Sequence, residues 1–501
     1  MLWAMVAPEP APVTPDPVDP TSILDGAQAG SRILRGGVVR AVGYAVSTLL
    51  SLIGIVLLTN HLGVSRFGRY QTVISLITVV GAVTDAGMAA LGMREYSQLD
   101  GERRTQLMRQ LLGLRLVLTA IGVGVAVAIS AALGYDHQLI LGTLLAGGGL
   151  VFTVVQTTLS IPLGAGLRNE ALTALDLLRQ VLTVSAIVVL VSIGAGVAPL
   201  LGVPLAVGCL VVVATALLVR GAVPLVPTFD LSAWAGLLRP AIAFAMATAV
   251  GTIYVYASQI LTSVMTTEHE AGLFAAAFRV FIVTTAIPGL LVTVAFPLLA
   301  RAARDDHDRL SYALQRLFEV TSVMGIGAAL GLLLGAPFIV DVMAGSDFAG
   351  SVAPLRVLGI AMLGSFVLAT WGFALLSLHN HRAILRANVA AFVVNVCAVV
   401  TLASLDGARG AAIGASIGEI TLACGYLIGL IAGDARFRPQ TGRTVRAAAC
   451  AVPAGATLAL GLPSAPTLAL GLVIYAGLLW PAGALPDELT EVVRARFRPG
   501  Y

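Results

Sequence analysis

The chain has 501 residues, of which 58% are hydrophobic and only 11% are charged, and its formal net charge is +4. A soluble globular chain carries roughly a quarter charged residues, so this composition excludes a protein whose whole surface faces water. Lipid must be the solvent for most of the surface.

All 30 basic residues are arginines. A chain without lysine has neither the lysine of a Walker phosphate-binding loop nor a Schiff-base lysine, which excludes these two kinds of chemistry. We therefore expect any energy for transport to come from an ion gradient, a substrate gradient or another chain. The four cysteines lie in apolar runs without metal-ligand spacing, so we expect no disulfide, metal site or other cofactor.

Residues 1–30 form a separate segment. Six prolines stand there among acidic and small residues, and such a composition cannot bury a core. The segment has no cationic stretch followed by an apolar run and a cleavage site. We therefore predict a disordered cytoplasmic tail, and a first membrane helix that acts as its own insertion signal.

Fourteen apolar runs follow this tail. A helix needs about 20 predominantly apolar residues to cross the hydrocarbon core of a bilayer. The sequence therefore predicts an all-α polytopic membrane protein with about 14 transmembrane helices. The runs lie at 37–60, 68–92, 113–133, 139–163, 176–195, 198–219, 240–265, 271–299, 317–340, 352–377, 385–404, 409–432, 446–462 and 467–482.

The distribution of arginine orients these spans. With the N-terminus in the cytoplasm, 25 of the 30 arginines fall on the cytoplasmic side, as the positive-inside rule requires. An even number of spans returns the C-terminus to the same side. We predict a multi-pass protein of the bacterial inner membrane with both termini in the cytoplasm. The arginines elsewhere are Arg66, Arg69, Arg279, Arg356 and Arg409.

Two parts of the chain repeat each other at an offset of 204 residues. Arg35 and Arg239 precede spans one and seven, and Gly68 and Gly272 open spans two and eight. Six-plus-six halves are typical of transporters that work by alternating access, with the site between the halves. The predicted domains are two pseudo-symmetric six-helix bundles, two additional helices and a cytoplasmic tail, at 31–235, 236–435, 436–482 and 483–501.

Short motifs in both halves resemble a known family. Gly272-Leu-Phe-Ala-Ala-Ala-Phe-Arg279 and Phe296-Pro-Leu-Leu-Ala-Arg301 are similar to its Gly-x-Tyr-x-x-Ala-x-Arg/Lys and Phe-Pro-x-x-x-Arg patterns. The stretch from Asn388 to Asn395, followed by Gly407 to Glu419, resembles its Asn…Asn…Gly-x-x-Gly-Ala-Ala…Glu pattern. Its earlier motifs are matched by Leu62-Gly-Val-Ser-Arg-Phe-Gly-Arg-Tyr70 and by Asp85-Ala-Gly87.

By these motifs the chain, over about residues 31–435, is identified as a member of the polysaccharide (O-antigen-type) flippase branch of the multidrug/oligosaccharidyl-lipid/polysaccharide (MOP) exporter superfamily. The resemblance implies a V-shaped pair of six-helix bundles. It also implies movement of a polyprenyl-pyrophosphate-linked glycan to the outer leaflet, for cell-surface polysaccharide biosynthesis. Partners would be this glycan and membrane lipids, with glycan polymerases and glycosyltransferases as candidate proteins, and no nucleic acid.

Three polar residues inside the spans are candidates for substrate binding. A charge near the membrane midplane costs about 2.5–3.5 kcal/mol on insertion scales, so Arg279 in span eight needs a reason. Its planar donor fork suits a pyrophosphate, and snorkelling to the headgroups is the structural alternative. Asn388 and Asn395 share one helix face and suit either sugar hydroxyls or interhelical hydrogen bonds.

Three further residues are candidates for coupling or gating. Glu419 lies near the middle of span twelve, where it suits a coupling proton or sodium ion, a salt bridge, or a protonated packing role. Asp85 lies near the cytoplasmic end of span two, where it pairs with Arg94, forms part of an inner gate, or makes a simple helix-end interaction.

Other functions remain open on the same sequence. An ion-coupled multidrug or metabolite exporter and a peptidoglycan-precursor flippase would share the architecture, although an exporter would favour more aromatic residues than the 6% present. A membrane enzyme needs a sizeable aqueous loop with catalytic residues. The connections leave little room for one, so we expect no enzyme. A non-transporting scaffold is disfavoured by the repeat and by the charges inside the spans.

Overall fold

The computed structural model describes residues 29–85, 87–166, 168–220, 226–305 and 307–485. The tail predicted over 1–30 lies outside this range, except that Ala29 and Gly30 begin the first helix. Most of the tail predicted over 483–501 also lies outside it.

Within the described ranges every regular element is helical, which confirms the predicted all-α class. Continuous apolar sequence forms helices in a membrane because a helix satisfies its backbone polar groups within one segment. The helices are α1 Ala29–Asp85, α2 Met88–Gln98, α3 Gly101–Ala132, α4 His137–Leu159, α5 Ile161–Ala165, α6 Asn169–Ser192, α7 Val197–Leu201, α8 Val203–Leu218, α9 Leu231–Met265, α10 Glu268–Asp305, α11 His307–Ala344, α12 Val352–Ser377, α13 His381–Gly433, α14 Gly442–Gly455 and α15 Ser464–Leu479, with 3-10 turns at Ser346–Ser351, Ala435–Phe437 and Ala456–Leu460.

Nine helices in the described part of the chain are long and apolar enough to cross a membrane. Two helices cover two predicted spans each: α13 contains spans eleven and twelve, and α1 contains span one and most of span two, which ends in α2. The shorter apolar helices Ala249–Met265 and Ser464–Leu479 coincide with predicted spans seven and fourteen. A helix therefore lies over each predicted span, while the count of fourteen crossings stays a prediction.

The predicted connection between spans one and two is a kink and not a loop. The backbone leaves the helical region only at Gly63, with φ 69° and ψ 178°. Positive φ of this kind costs a glycine nothing, which explains the residue found there. A second kink at Asp406 and Gly407 joins spans eleven and twelve in the same way.

The two segments of α13 pack tightly against each other. A Cβ atom on Gly414 would lie 2.6 Å from the backbone nitrogen of Val399, and one on Gly418 would lie 2.8 Å from the Cβ of Asn395. Small residues at such spacing allow helices in a membrane to approach closely. This packing brings Asn395 and Glu419, which are far apart in sequence, to adjacent positions.

An apolar cluster joins residues of the two sequence repeats. It includes Leu58 and Phe67 of α1, Phe274 of α10 and Phe348. The rings of Phe67 and Phe348 meet edge to face with centroids 6.0 Å apart. Lipid is as apolar as these side chains, so their close packing, rather than escape from solvent, stabilises the contact.

The last two helices pack on α11. The Tyr475 hydroxyl of α15 donates to the backbone oxygen of Val323 at 2.9 Å, and Ala447, Cys450 and Ala454 of α14 are buried in the same cluster. Predicted spans thirteen and fourteen are therefore an integral part of the helical packing.

Candidate functional site

A cavity of about 330 Å³ lies among α9, α10, α12 and α13. Most of its lining is apolar, including Phe278 and Phe281 on α10. The polar exceptions converge from four helices: Tyr254, Ser258, Thr285, Ser365, Asn395 and Glu419. Two of the candidates from the sequence, Asn395 and Glu419, therefore line one cavity.

Glu419 is buried, with 8% of its surface exposed. The Tyr254 hydroxyl donates to its Oε2 at 2.8 Å, and the Ser365 hydroxyl donates to its Oε1 at 2.6 Å. The lining holds these two hydroxyl donors and no basic residue, and hydroxyl donors stabilise a carboxylate without neutralising its charge. The salt bridge considered for Glu419 is absent among the described residues.

The two asparagines have different surroundings. Asn395 and Ser258 bond reciprocally, with Nδ2 donating at 3.0 Å and Oδ1 accepting at 3.2 Å. Asn388 donates to the Tyr426 hydroxyl at 3.2 Å and to the Ile384 backbone oxygen at 3.0 Å. Asn388 is thus engaged between the segments of α13, beside the cavity lining but outside it.

Arg279 faces away from this cavity, towards the first repeat. Its Nη2 donates to the Ser51 hydroxyl of α1 at 3.0 Å. Its Nε is buried and has no hydrogen-bond partner among the described residues. Arg279 follows Glu268, the first residue of α10, by eleven positions, which is roughly 16 Å along a helix and about half of a bilayer core.

Asp85 pairs with Arg115, and not with Arg94 as the sequence interpretation allowed. The Arg115 guanidinium also donates to Thr158 at 2.7 Å and to Thr157 at 3.1 Å. Arg115 is only 1% exposed, whereas Arg94 is exposed. The reason is tertiary, because α4 brings two threonine hydroxyls to the α1–α3 junction.

The two repeats touch each other at Gly68 and Gly272. A Cβ on Gly68 would lie 2.7 Å from the backbone nitrogen of Gly272. A Cβ on Gly272 would overlap the backbone oxygen of Val64. This contact lies on the predicted outer side, close to the Gly63 kink of α1 and to the start of α10.

Arg69 reinforces this contact with charge. Its Nε lies 2.6 Å from Glu268 Oε1 at the start of α10, and its Nη1 lies 3.0 Å from Asp136 Oδ2 in the first repeat. Nearby, the Thr59 hydroxyl donates to the Met343 backbone oxygen at 2.7 Å. We name Gly68, Arg69, Glu268 and Gly272 the outer contact.

Several of these residues were not singled out from the sequence. Tyr254 and Ser258 are four residues apart in an apolar run, a spacing that places both hydroxyls on one helix face and that was available as a signal. Arg115 has leucines on both sides, which argues for burial. Nothing in the sequence indicates that Glu268 meets Arg69, because that pair depends on how the repeats dock.

The model of the polysaccharide biosynthesis protein family matches residues 57–353. The match spans more than half of the 501 residues. A search of curated protein sequences gives no match.

Solved structures of transporters share the fold. An inward closed structure of the lipid II flippase MurJ has a TM-score of 0.74 at 13% identity, covering 88% of this chain and 98% of its own. An inward-facing multidrug resistance MATE family transporter of the MOP superfamily has a TM-score of 0.64 at 14% identity, covering 80% and 98%. A MOP superfamily transporter from Pyrococcus furiosus has a TM-score of 0.56 at 15% identity, covering 83% and 97%.

The chain belongs to the polysaccharide biosynthesis protein family, and its fold is that of MOP superfamily transporters. The resemblance inferred from the motifs is confirmed at the level of this family and this fold, and the chain is a multi-pass membrane protein with many apolar helices.

Proposed function

We propose that this protein is a flippase that moves a polyprenyl-pyrophosphate-linked oligosaccharide from the inner to the outer leaflet of the bacterial inner membrane by alternating access. The observation that carries the proposal is Arg279, whose guanidinium donates to Ser51 of the first repeat and whose position eleven residues into α10 predicts about half the depth of the bilayer. Such a position is costly for a charge and calls for a function.

Arg279 has the chemistry that a pyrophosphate needs. One donor reaches Ser51, and Nε is a buried donor without a partner among the described residues. Leaving a charged buried donor unsatisfied costs about 1–3 kcal/mol or more. A phosphate oxygen that accepted from Nε and Nη would remove this cost through a charge-assisted, bidentate hydrogen bond.

The outer contact supports the direction of access. The repeats are joined at the predicted outer end by Gly68, Gly272 and the Arg69–Glu268 pair. A headgroup would therefore reach Arg279 from the cytoplasmic side, and it would leave after the outer contact separates. The lipid tail would stay in the bilayer throughout.

The two repeats would form two six-helix bundles, 31–235 and 236–435. These bundles would rock against each other about the outer contact. Both termini would be cytoplasmic. Glycan polymerases and glycosyltransferases would act on the same lipid-linked glycan after and before transport. A chain that contains both bundles would transport as a single copy.

The Glu419 cavity supports a separate coupling role. A carboxyl group held by Tyr254 and Ser365 is positioned to take up a proton or a sodium ion. Asn395, which lines the same cavity, adds an amide oxygen. We assign Glu419 to coupling and Arg279 to the cargo, because the two side chains lie on different sides of α10.

The same cavity also favours the second candidate function, an ion-coupled exporter. Its Phe278, Phe281 and Phe373 faces would suit a small apolar cargo. A peptidoglycan-precursor flippase remains the other alternative, since one structural neighbour is described as a lipid II flippase. The cargo assay must therefore separate these three functions.

The test is a leaflet-exchange assay in proteoliposomes. The vesicles carry a fluorescent polyprenyl-pyrophosphate oligosaccharide, and a membrane-impermeant quencher reports how fast it crosses. Arg279→Ala is compared with Arg356→Ala, because Arg356 donates to the Leu333 backbone oxygen within the second repeat. Loss of a charged hydrogen bond is worth about 1.5–3 kcal/mol, so Arg279→Ala should slow exchange by at least ~10-fold.

Exchange of the oligosaccharide lipid by the Arg279→Ala protein at the wild-type rate would remove Arg279 from the mechanism. Wild-type exchange of lipid II but not of the oligosaccharide lipid would favour the peptidoglycan alternative. Efflux of a small apolar compound without exchange of either lipid would favour the exporter.

A further inference from the structure

A polar cavity lies at the predicted cytoplasmic end, and Arg279 is not part of its lining. Its volume is about 610 Å³, and it is enclosed by the start of α11, the 3-10 turn Ala435–Phe437 and the start of α14. Five arginines line it against two acidic residues. They are Arg316, Arg436, Arg438, Arg443 and Arg446, with Asp308 and Glu319. We name this the arginine pocket.

The acidic residues of the arginine pocket are already engaged. Glu319, with 5% exposure, lies 3.0 Å from Arg316 Nη1 and 2.8 Å from Arg443 Nη1. It is thus a buried acid that holds two guanidinium groups in place. Arg436 is held by Asp308 at 2.9 Å and by Asp434 at 2.8 Å.

This leaves positive charge without a partner. Arg438 and Arg446 are exposed and form no ion pair with any residue that the structure describes. Arg446 donates only to the Gly483 backbone oxygen, at 3.2 Å. A concave site with fixed guanidinium groups and two unpaired ones selects an anion, and the guanidinium fork matches a phosphate.

A separate apolar groove lies further along α11 and α14, beyond the arginine pocket. It has a volume of about 320 Å³ and is lined by residues of α11, α12 and α14, including Ile326, Leu330 and Ala448. Glu319, Ile326 and Leu330 are seven and four residues apart, so one face of α11 runs from the charged pocket into the groove. The eleven residues from Glu319 to Leu330 span roughly 16 Å, about one leaflet of hydrocarbon.

We propose that an anionic phospholipid binds here, with its phosphate headgroup in the arginine pocket and one acyl chain in the groove. The apolar groove favours a lipid as the ligand, because a soluble phosphate has no apolar part that could fill the groove. The bound lipid joins α14 to α11 and α12, and so fixes the C-terminal pair of helices against the second repeat. This site is independent of the cargo and of Arg279.

The test titrates phosphatidylglycerol, with phosphatidylcholine as the zwitterionic comparison, into detergent-solubilised protein observed by native mass spectrometry. The variant is Arg438→Gln/Arg446→Gln, which spares the buried Glu319 pairs. Its control is Arg382→Gln/Arg386→Gln, which removes the same charge from two exposed arginines at the start of α13. A basic side chain near an anionic lipid is worth about 1 kcal/mol, so the pocket variant should bind phosphatidylglycerol ~30-fold more weakly.

The affinity of the control variant for phosphatidylglycerol should stay within about twofold of the wild-type affinity, a change of under about 0.5 kcal/mol in binding free energy. Equal affinity of the wild type and the pocket variant for phosphatidylglycerol would overturn the proposal. So would equal affinity of the wild type for phosphatidylglycerol and phosphatidylcholine.

A second variant tests the groove. Ala448→Phe fills it from α14, where the side chain is exposed, and it leaves every arginine in place. This variant should lose phosphatidylglycerol binding and keep the weak binding of soluble glycerol phosphate. If glycerol phosphate binds the wild type as tightly as phosphatidylglycerol does, the ligand is a soluble phosphate and the lipid assignment is wrong.

Discussion

Gly68 and Gly272 lie back to back, so close that a Cβ on Gly68 would come within 2.7 Å of the Gly272 backbone nitrogen. The two residues are separated by the 204-residue offset of the sequence repeat. A position that opens span two in one repeat therefore meets its counterpart in the other. Any side chain at either glycine must move α1 and α10 apart, since its nearest neighbours would be backbone atoms, which cannot rotate away.

Gly272→Val should open the outer contact. The added side chain overlaps the Val64 backbone oxygen, so we expect an outward-open population and at least ~10-fold slower leaflet exchange, a cost of about 1.4 kcal/mol or more. The measurement is the reaction rate of a membrane-impermeant maleimide with Thr59→Cys, a position now 1% exposed, after the four native cysteines are replaced by serine. Gly124→Val is the control because nothing lies within 4 Å of a Cβ there. Equal labelling rates in the two variants would mean that the glycine contact does not hold the outer side closed.

Glu268→Gln should loosen the same contact more gently. The Arg69 and Glu268 side chains are 34% and 53% exposed, and an exposed ion pair is worth about 0.2–1 kcal/mol, which is at most ~5-fold in population. The labelling rate at Thr59→Cys should rise by that factor at low salt and converge with the wild-type rate near 1 M salt, where charges are screened. Glu102→Gln, at an exposed acid of α3, should leave the rate unchanged. A difference that persists at high salt would point to a steric cause.

Asp85→Ala should destabilise the first repeat strongly. It leaves the Arg115 guanidinium buried without its carboxylate, and breaking such a pair from one side costs about 3–5 kcal/mol. Arg115 would still donate to two threonine hydroxyls, so we expect the loss in the free energy of unfolding to be at the lower end of that range. Arg94→Ala, at an exposed side chain, should change stability by less than about 0.5 kcal/mol.

Thermal unfolding in detergent, followed by intrinsic fluorescence, measures this loss. The double variant Asp85→Ala/Arg115→Leu should regain most of it, since no buried charge remains. A double variant as unstable as Asp85→Ala alone would show that the carboxylate contributes by other means than this pair.

Glu419→Gln should uncouple transport from the ion gradient. A glutamine keeps an oxygen to accept from Tyr254 or Ser365, but it cannot take up a proton or balance a cation. Leaflet exchange is measured with and without a pH gradient, and then a sodium gradient, across the vesicle membrane. Tyr254→Phe is the control, because it removes one hydrogen bond and keeps the carboxyl group. If the Glu419→Gln protein responds to both gradients as the wild type does, the coupling ion binds elsewhere.

The helical spans were predictable from sequence because each is a long apolar run whose backbone must be satisfied within one segment. The cavity was predictable only in part. Asn395 and Glu419 were recognisable as polar residues in apolar surroundings, and both line it. Their hydroxyl partners Tyr254 and Ser365 come from other helices, and no local signal reports which helices will meet.

The ion pairs were least predictable. Asp85 has an arginine nine residues away at Arg94 and another thirty residues away at Arg115, and sequence distance favours the nearer one. The packing of α3 against α4 brings Arg115 to Asp85 instead. The leucines on both sides of Arg115 are consistent with its position inside the protein. The stripe of Gly410, Gly414 and Gly418 was likewise overlooked, because glycine is abundant throughout the chain, with 54 residues.

The glycine contact also has a mechanical consequence. It lies near one end of α10, with 33 residues, or up to roughly 50 Å of helix, between Gly272 and Asp305. If α10 pivots there as a lever about a fulcrum, a tilt of about 10° displaces its far end by up to ~9 Å, close to the spacing of two packed helices. The part of α10 before Gly272 is short and the part after it is long. A small rotation about Gly272 would therefore open enough space at the far end for a bulky headgroup, while the residues at the glycine contact hardly move.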